Sequence, residues 1–160
     1  MLIERMICMK MDALQLSEYI IRRASERGQF VTNLKLQKTL YYVQGYLLRV
    51  YPEAAFNDEI CHWQYGPVVP RVYFAYSPYG SSPLNSDETT NLPKVEKAIK
   101  QLIDCVIDEC LKHSARELVT KTHEEAPWEE TEPNQVITQD SITKYFCKNN
   151  PLDLGEKIVG

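Results

Sequence analysis

Apolar side chains recur at helical spacing along most of the chain. After Asp12, the residues Leu16, Tyr19, Ile20 and Ala24 fall three and four apart, and Gly28 stands where a helix-ending glycine belongs, which predicts a first helix. Asn33 reads as the N-cap of a second helix, whose Leu36, Leu40, Val43 and Leu47 form one stripe that ends before Pro52. Gly45 inside it calls for a close helix contact, because an interior glycine costs about 1 kcal/mol relative to alanine. Tyr41, Tyr42 and Tyr46 flank the stripe. Between Glu59 and Tyr65 the pattern changes to alternation, with Cys61, Trp63 and Tyr65 on one face and Ile60, His62 and Gln64 on the other, which suits a short half-buried strand. Gly66-Pro67 reads as the turn after it. Pro70 then opens a short third helix, with Val72, Tyr73 and Tyr76 as its apolar side and Pro78 and Gly80 as its stop. Residues 81–92 read as a surface loop.

From Pro93 onward, Val95, Ile99, Leu102, Ile103, Val106, Ile107 and Cys110 make a broad apolar face, and this 93–111 helix is expected to be the central one. Ser114 and Glu117 form a capping box that starts another short helix through Leu118 and Val119. Residues 122–135 turn acidic: Glu124, Glu125, Glu129, Glu130 and Glu132 surround Pro127 and Trp128 and read as a solvated surface. A last helix around Ile142, Tyr145 and Phe146, capped by Thr138 or Asp140, precedes a tail, and Val136-Ile137 can pair with the 59–65 strand. The expected fold is mainly α: a single compact domain of five to six helices around a central long helix, with at most a small two- or three-stranded β-sheet. Its expected organisation is a flexible lead-in at 1–11, with Met9 and Met11 as alternative starts to Met1, a domain at 12–150 and a tail at 151–160.

A chain of 160 residues suits one domain, burying about 70% of its unfolded surface. The sequence contains no apolar run long enough to span a membrane, and residues 1–10 lack a secretory apolar core, so a cytoplasmic protein is expected. Five cysteines, at 8, 61, 105, 110 and 147, include no CxxC pair, which favours reduced and mostly buried thiols. Eighteen basic and twenty-two acidic side chains give a net charge of −4, concentrated in the second half of the chain, where nine basic face fifteen acidic groups. Nucleic acid is not the expected partner; a basic protein surface is compatible with the acidic half.

Little in the sequence supports catalysis. Cys110 and His113 lack two further ligands at zinc-binding spacing, and neither a metal nor a cofactor is expected. A hydrolase using His123 with Cys61 or an acidic residue of 124–132 is the alternative, and it requires those groups to meet in a pocket. The feature that stands out is aromatic residues beside prolines in two loops, one with Trp63, Tyr65, Gly66 and Pro67, the other with Thr122, His123, Pro127 and Trp128. Such residues anchor protein interfaces. The candidate partner-binding set is therefore Tyr42, Tyr46, Trp63, Tyr65, Pro67, His123, Pro127 and Trp128, with no catalytic residue assigned.

Three ordered motifs also carry a family resemblance: LKLQKTLYYVQGYL at 34–47, IxxWxYGPVVPxVY at 60–73, and LxxxTHxExPW from Leu118 to Trp128. Together they resemble the Panacea domain, the SocA-like or GepA-like phage-associated family. The resemblance implies an antitoxin of a toxin–antitoxin system that neutralises a cognate protein toxin by direct contact. For one branch it implies a proteolytic adaptor that delivers the toxin to a host ATP-dependent protease. Some relatives add a DNA-binding domain; the roughly ten residues before this core are too few for one. Neither nucleic acid nor membrane is thus expected as a partner. Exposed aromatic surface also favours self-association, which leaves a homo-oligomer open.

Overall fold

The computed structural model describes residues 11–90 and 94–155. Residues 1–10, Pro93 and the last five residues of the expected tail lie outside them. Helix α1, Ala13–Glu26, starts at a capping box in which Asp12 accepts from the Leu14 N–H at 2.7 Å and Gln15 reaches back to the Asp12 N–H. Gly28 follows it at a φ of 69°. Helix α2, Asn33–Val50, is capped by Thr32; Asn33 is its first helical residue, and its side chain instead donates to the Tyr73 carbonyl at 3.0 Å. The expected stripe of Leu36, Leu40, Val43 and Leu47 is buried, but so is nearly every other side of this helix.

Strand β1, Ile60–Trp63, pairs antiparallel with β2, Gly66–Val68, and with β3, Val136–Ile137, in the order β2-β1-β3. Cys61 lies opposite Val68 and Trp63 opposite Gly66, so the hairpin turn is Gln64-Tyr65 and Gly66-Pro67 belongs to β2. Gly66 sits at a φ of 106°, and a Cβ there would come within 2.7 Å of Lys38 Cε and 2.8 Å of Thr122 Oγ1. The glycine therefore serves close packing just after the turn. Pro67 is tolerated because β2 is an edge strand whose outward side needs no N–H.

Pro70 opens α3, Pro70–Tyr76, which continues into a 3-10 turn, Ser77–Tyr79. Helix α4, Lys97–Leu111, buries Ile99, Leu102, Ile103, Val106, Ile107 and Cys110. Residues 94–96 are not helical, so α4 starts later than the proline signal suggested. It packs beside α1, where Arg23 grips Asp108 through two 2.8 Å hydrogen bonds and Tyr19 donates to Asp104 at 2.5 Å. Helix α5, Ala115–His123, begins at the expected Ser114/Glu117 box; α6, Ala126–Glu129, is one added turn; α7, Gln139–Lys148, is capped by Thr138.

The fold is thus one mainly α domain with seven helices among the described residues and a three-stranded antiparallel sheet. Its central long helix is α2 rather than α4: α1, α4, α5, α7 and the sheet all pack against α2. The reason is residue size and shape. Gly45 admits the Phe146 ring of α7 against the helix backbone, and Tyr41, Tyr42 and Tyr46 surround that ring edge to face at 5.2–6.2 Å. The packed interior also extends beyond the expected boundaries. Met11 donates its N–H to the Ala55 carbonyl at 2.8 Å, and Leu152 and Leu154 are buried. All four described cysteines are free thiols: Cys110 is buried, Cys61 and Cys105 are half-buried, and Cys147 is exposed.

A methyl group at Gly45 would overlap the Phe146 ring, which is enclosed and has no room to retreat. Gly45→Ala is therefore expected to lose about 1–3 kcal/mol of stability despite alanine's better helix propensity. Adding Phe146→Leu should recover part of the loss in a double-mutant cycle followed by urea denaturation.

Candidate functional site

The three sequence motifs meet in space around α2. From the first, Lys38 is wholly buried and donates from Nζ to the Pro67 carbonyl of the second at 3.0 Å. Tyr41 and Tyr42 donate their hydroxyls to the two oxygens of Glu125, from the third, at 3.0 and 2.7 Å. Trp128 lies between two histidines, with His62 stacked at 3.9 Å and His123 at 4.1 Å. The His62 Nδ1 meets the Trp128 carbonyl at 2.8 Å; a carbonyl only accepts, so Nδ1 carries the proton. Trp128 in turn donates from Nε1 to the Trp63 carbonyl at 3.0 Å, which ties the third motif to the hairpin.

Burial controls the protonation of this knot. It pushes the Lys38 amine down to about 7, since no carboxylate compensates it. It pushes the Glu125 carboxyl up to about 7, against the pull of the two tyrosine hydrogen bonds. His123 is lowered from its ordinary value, first by burial and then by the positive charge of Lys38 and His62, while a hydrogen bond with the Gln64 backbone acts the other way. Its Nε2 is buried without a partner among the described residues.

Outside the knot lies an aromatic face. Trp63 meets Tyr73 edge to face at 5.1 Å and Phe74 at 5.9 Å, and Tyr73 meets Phe74 at 5.5 Å. Tyr65 at the hairpin turn is 59% exposed and Phe74 on α3 is 63% exposed. Between hairpin and helices lies a groove of about 300 Å³, lined among others by Leu34, Trp63, Gln64, Tyr65, Tyr73 and Asn134.

The candidate residues divide accordingly. Tyr65 and half-exposed Trp63 are on this face. Tyr42 and Tyr46 are fully buried, the Tyr46 hydroxyl donating to Asn150 at 2.5 Å and accepting from the Leu152 N–H at 2.9 Å, so neither offers surface to a partner. Pro67 and Pro127 are buried, and His123 and Trp128 are half-buried in the knot behind the face. Phe74 and Leu34 lie outside the candidate set, and Tyr73, on the expected apolar side of the third helix, is half-exposed. A seven-residue helix that buries Val72 and Tyr76 must turn the adjacent Phe74 outward, and that signal was available. Glu125 departs from the rest of its run: Glu124, Glu129, Glu130 and Glu132 are exposed, whereas Glu125 is 3% exposed. The Cys61 thiol is pushed up by burial and by Glu59, the opposite direction from an activated nucleophile. Glu125 is engaged by tyrosines and the His123 ring by Trp128. Among the described residues, no three His, Cys, Asp or Glu side chains are grouped to hold a metal ion, and no helix is long and apolar enough to cross a membrane.

A family model described as antitoxin SocA-like, Panacea domain, matches residues 36–129, more than half of the chain. The chain belongs to this family. No curated protein and no solved structure matches it. In this Panacea domain the match runs from Leu36 on α2 to the residue after Trp128, and so takes in the whole knot and the hairpin. The family is one of antitoxins, and the partner it implies is a protein.

The buried charges of the Panacea domain set opposite pH trends. Between about pH 4.5 and 7 the folded state holds a proton on Glu125 that the unfolded chain has released, so stability from this group falls as pH rises. Between about 7 and 10.5 the unfolded chain holds the proton on Lys38 that the folded state lacks, so stability from Lys38 rises with pH. Glu125→Gln should remove the first trend and Lys38→Met the second, each by up to about 1.4 kcal/mol per pH unit. Urea denaturation of each variant and the native chain across this range measures it; the difference between them isolates each group from His123.

Proposed function

We propose that this chain is the antitoxin of a toxin–antitoxin system and that it neutralises its toxin by direct binding through the face of Trp63, Tyr65, Tyr73 and Phe74. The observation that carries this reading is the exposure of Tyr65 and Phe74 beside the half-exposed, mutually packed rings of Trp63 and Tyr73 on the hairpin and α3. Large aromatics at the surface dominate the energetics of protein interfaces, and contiguous apolar patches mark interaction sites. The knot behind the face favours a binding role over turnover: Lys38, His62 and Trp128 spend their polar groups on holding the hairpin in place. A preorganised face loses less conformational entropy on association. The exposed Glu124, Glu129, Glu130 and Glu132 would steer a basic toxin toward it.

Co-expression with the product of the adjacent gene tests the proposal. Phe74→Asp and Tyr65→Asp are expected to abolish rescue from toxicity and to weaken binding by about 30-fold or more, in line with a hot-spot loss of about 2 kcal/mol. Their melting temperatures should match the native chain, because both side chains are mostly in solvent already. Full rescue by both variants, or an adjacent product without toxicity, would sink the idea. Toxin amount, followed by immunoblot, separates blocking, in which it holds steady, from delivery to an ATP-dependent protease, in which it falls. Converting Glu129, Glu130 and Glu132 to glutamine should slow association and flatten its salt dependence while leaving dissociation nearly unchanged, as measured by stopped flow.

A further inference from the structure

We propose that Trp128 and its two flanking histidines form an acid-operated latch beneath the aromatic face, closed while at most one of the two imidazoles is charged and open when both are. The effect on partner binding rests on the reading of that face as the partner contact; the opening itself does not.

The sandwich supplies the first observation. His62 and His123 stack on Trp128 with ring centroids at 3.9 and 4.1 Å. An indole face attracts a cation placed over it. A second imidazolium on the same indole repels the first at short range, and His62 does oppose charge on His123.

The second is the missing counter-ion. Around His123, α2 contributes Lys38 and β1 contributes His62, both of which oppose its charge, while β2, Gly66–Val68, contributes no titratable group. Glu125, two residues on, is turned to Tyr41 and Tyr42, and Lys121 on the same helix adds another cation. Glu124 and Glu129 stand exposed, where water screens them. On the far side of His62, β3, Val136–Ile137, brings no titratable group either. Acid therefore drives the knot in one direction: Glu125 loses its negative charge while Lys38 and the histidines gain positive charge.

The third is the way out. A charged His123 must carry a proton on Nε2, the atom that is buried with no partner among the described residues. The contact with the Gln64 backbone favours the charged ring but is outweighed by burial. His123 and Trp128 are each half-exposed, so rotation of either side chain outward brings the charge to water and ends the stack. Trp128 holds the Trp63 carbonyl from Nε1 at 3.0 Å and accepts from His62 Nδ1 at 2.8 Å. Once it leaves, the hairpin end that carries Trp63 and Tyr65 loses its clamp.

The test is hydrogen exchange at the Trp128 indole N–H of the whole chain, read by nitrogen–proton NMR at about pH 7.5 and about pH 5.5 and expressed as protection relative to free indole at each pH. Trp63→Phe assigns the two indole signals. Protection is expected to fall at least about 10-fold on acidification, because uptake of one linked proton shifts an equilibrium by up to about tenfold per pH unit. His123→Phe, which keeps a ring on Trp128, and His123→Gln, which keeps a hydrogen-bonding side chain, should each hold the fall below about 2-fold. Binding of the adjacent gene's product should weaken with the same pH dependence in the native chain and not in these variants. Protection that is the same at both pH values in the native chain, or that falls equally in both variants, overturns the latch. If protection falls as expected while Phe74→Asp and Tyr65→Asp rescue fully, the latch stands and the docking reading falls; if protection holds while those two lose rescue, the docking reading stands and the latch falls.

Discussion

The structure depends on the complete burial of a helix that carries polar side chains on most of its faces. Removing such groups from water is unfavourable unless each finds a partner. In α2 they find partners in loops, in the edge strand β2 and in α3. Gln44 takes the Ala55 N–H and gives to the Phe56 carbonyl, Gln37 takes the Val69 N–H, Lys38 gives to Pro67, and Asn33 gives to Tyr73. The tyrosines reach Glu125 and the chain at 150–152. One helix thereby supplies the hydrogen bonds that loops elsewhere draw from water, and this fixes where those loops run.

The functional surface is a consequence. The hairpin of β1 and β2 has only seven strand residues, too few to be stable alone. It is held by Lys38 beneath the edge, by β3 on the other side, and by Trp128 clamped between two histidines and bonded to the Trp63 carbonyl. With the backbone held in this way, Tyr65 can stand in solvent and Trp63 can stay half-exposed against Tyr73 and Phe74. The knot and the face divide the labour: buried polar chemistry provides position, and exposed rings provide contact.

The arrangement carries a cost at Lys38. A buried amine with a single carbonyl partner gives up hydration that one hydrogen bond does not restore, and burial lowers its basicity for the same reason. The position also constrains its neighbours, since Gly66 lies against its side chain and admits no larger residue. Glu125 repeats the pattern with opposite charge and two phenol partners.

Much of the fold was legible in the residues. The periodicity of α1 and α4, the start of α1 at Asp12, the Ser114 cap, the proline start of α3 and the need for a close contact at Gly45 follow from local stereochemistry, which acts within a few residues, and the alternation at 59–65 offered β1 as a partner for Val136-Ile137. The three motifs likewise carried the family. Which helix lies at the centre was not legible, because a stripe of leucines reports one buried face and says nothing of polar residues whose partners are far along the chain. For the same reason Tyr42, Tyr46, Pro67 and Pro127 looked like contacts and proved to be interior, while Phe74 looked ordinary and proved to be exposed. Glu125 shares its composition with exposed neighbours, and only the approach of Tyr41 and Tyr42, more than eighty residues earlier, separates it from them. Local propensity and pattern determined the elements and the family; burial, which depends on what packs from a distance, decided which aromatic residues hold the protein together and which face outward.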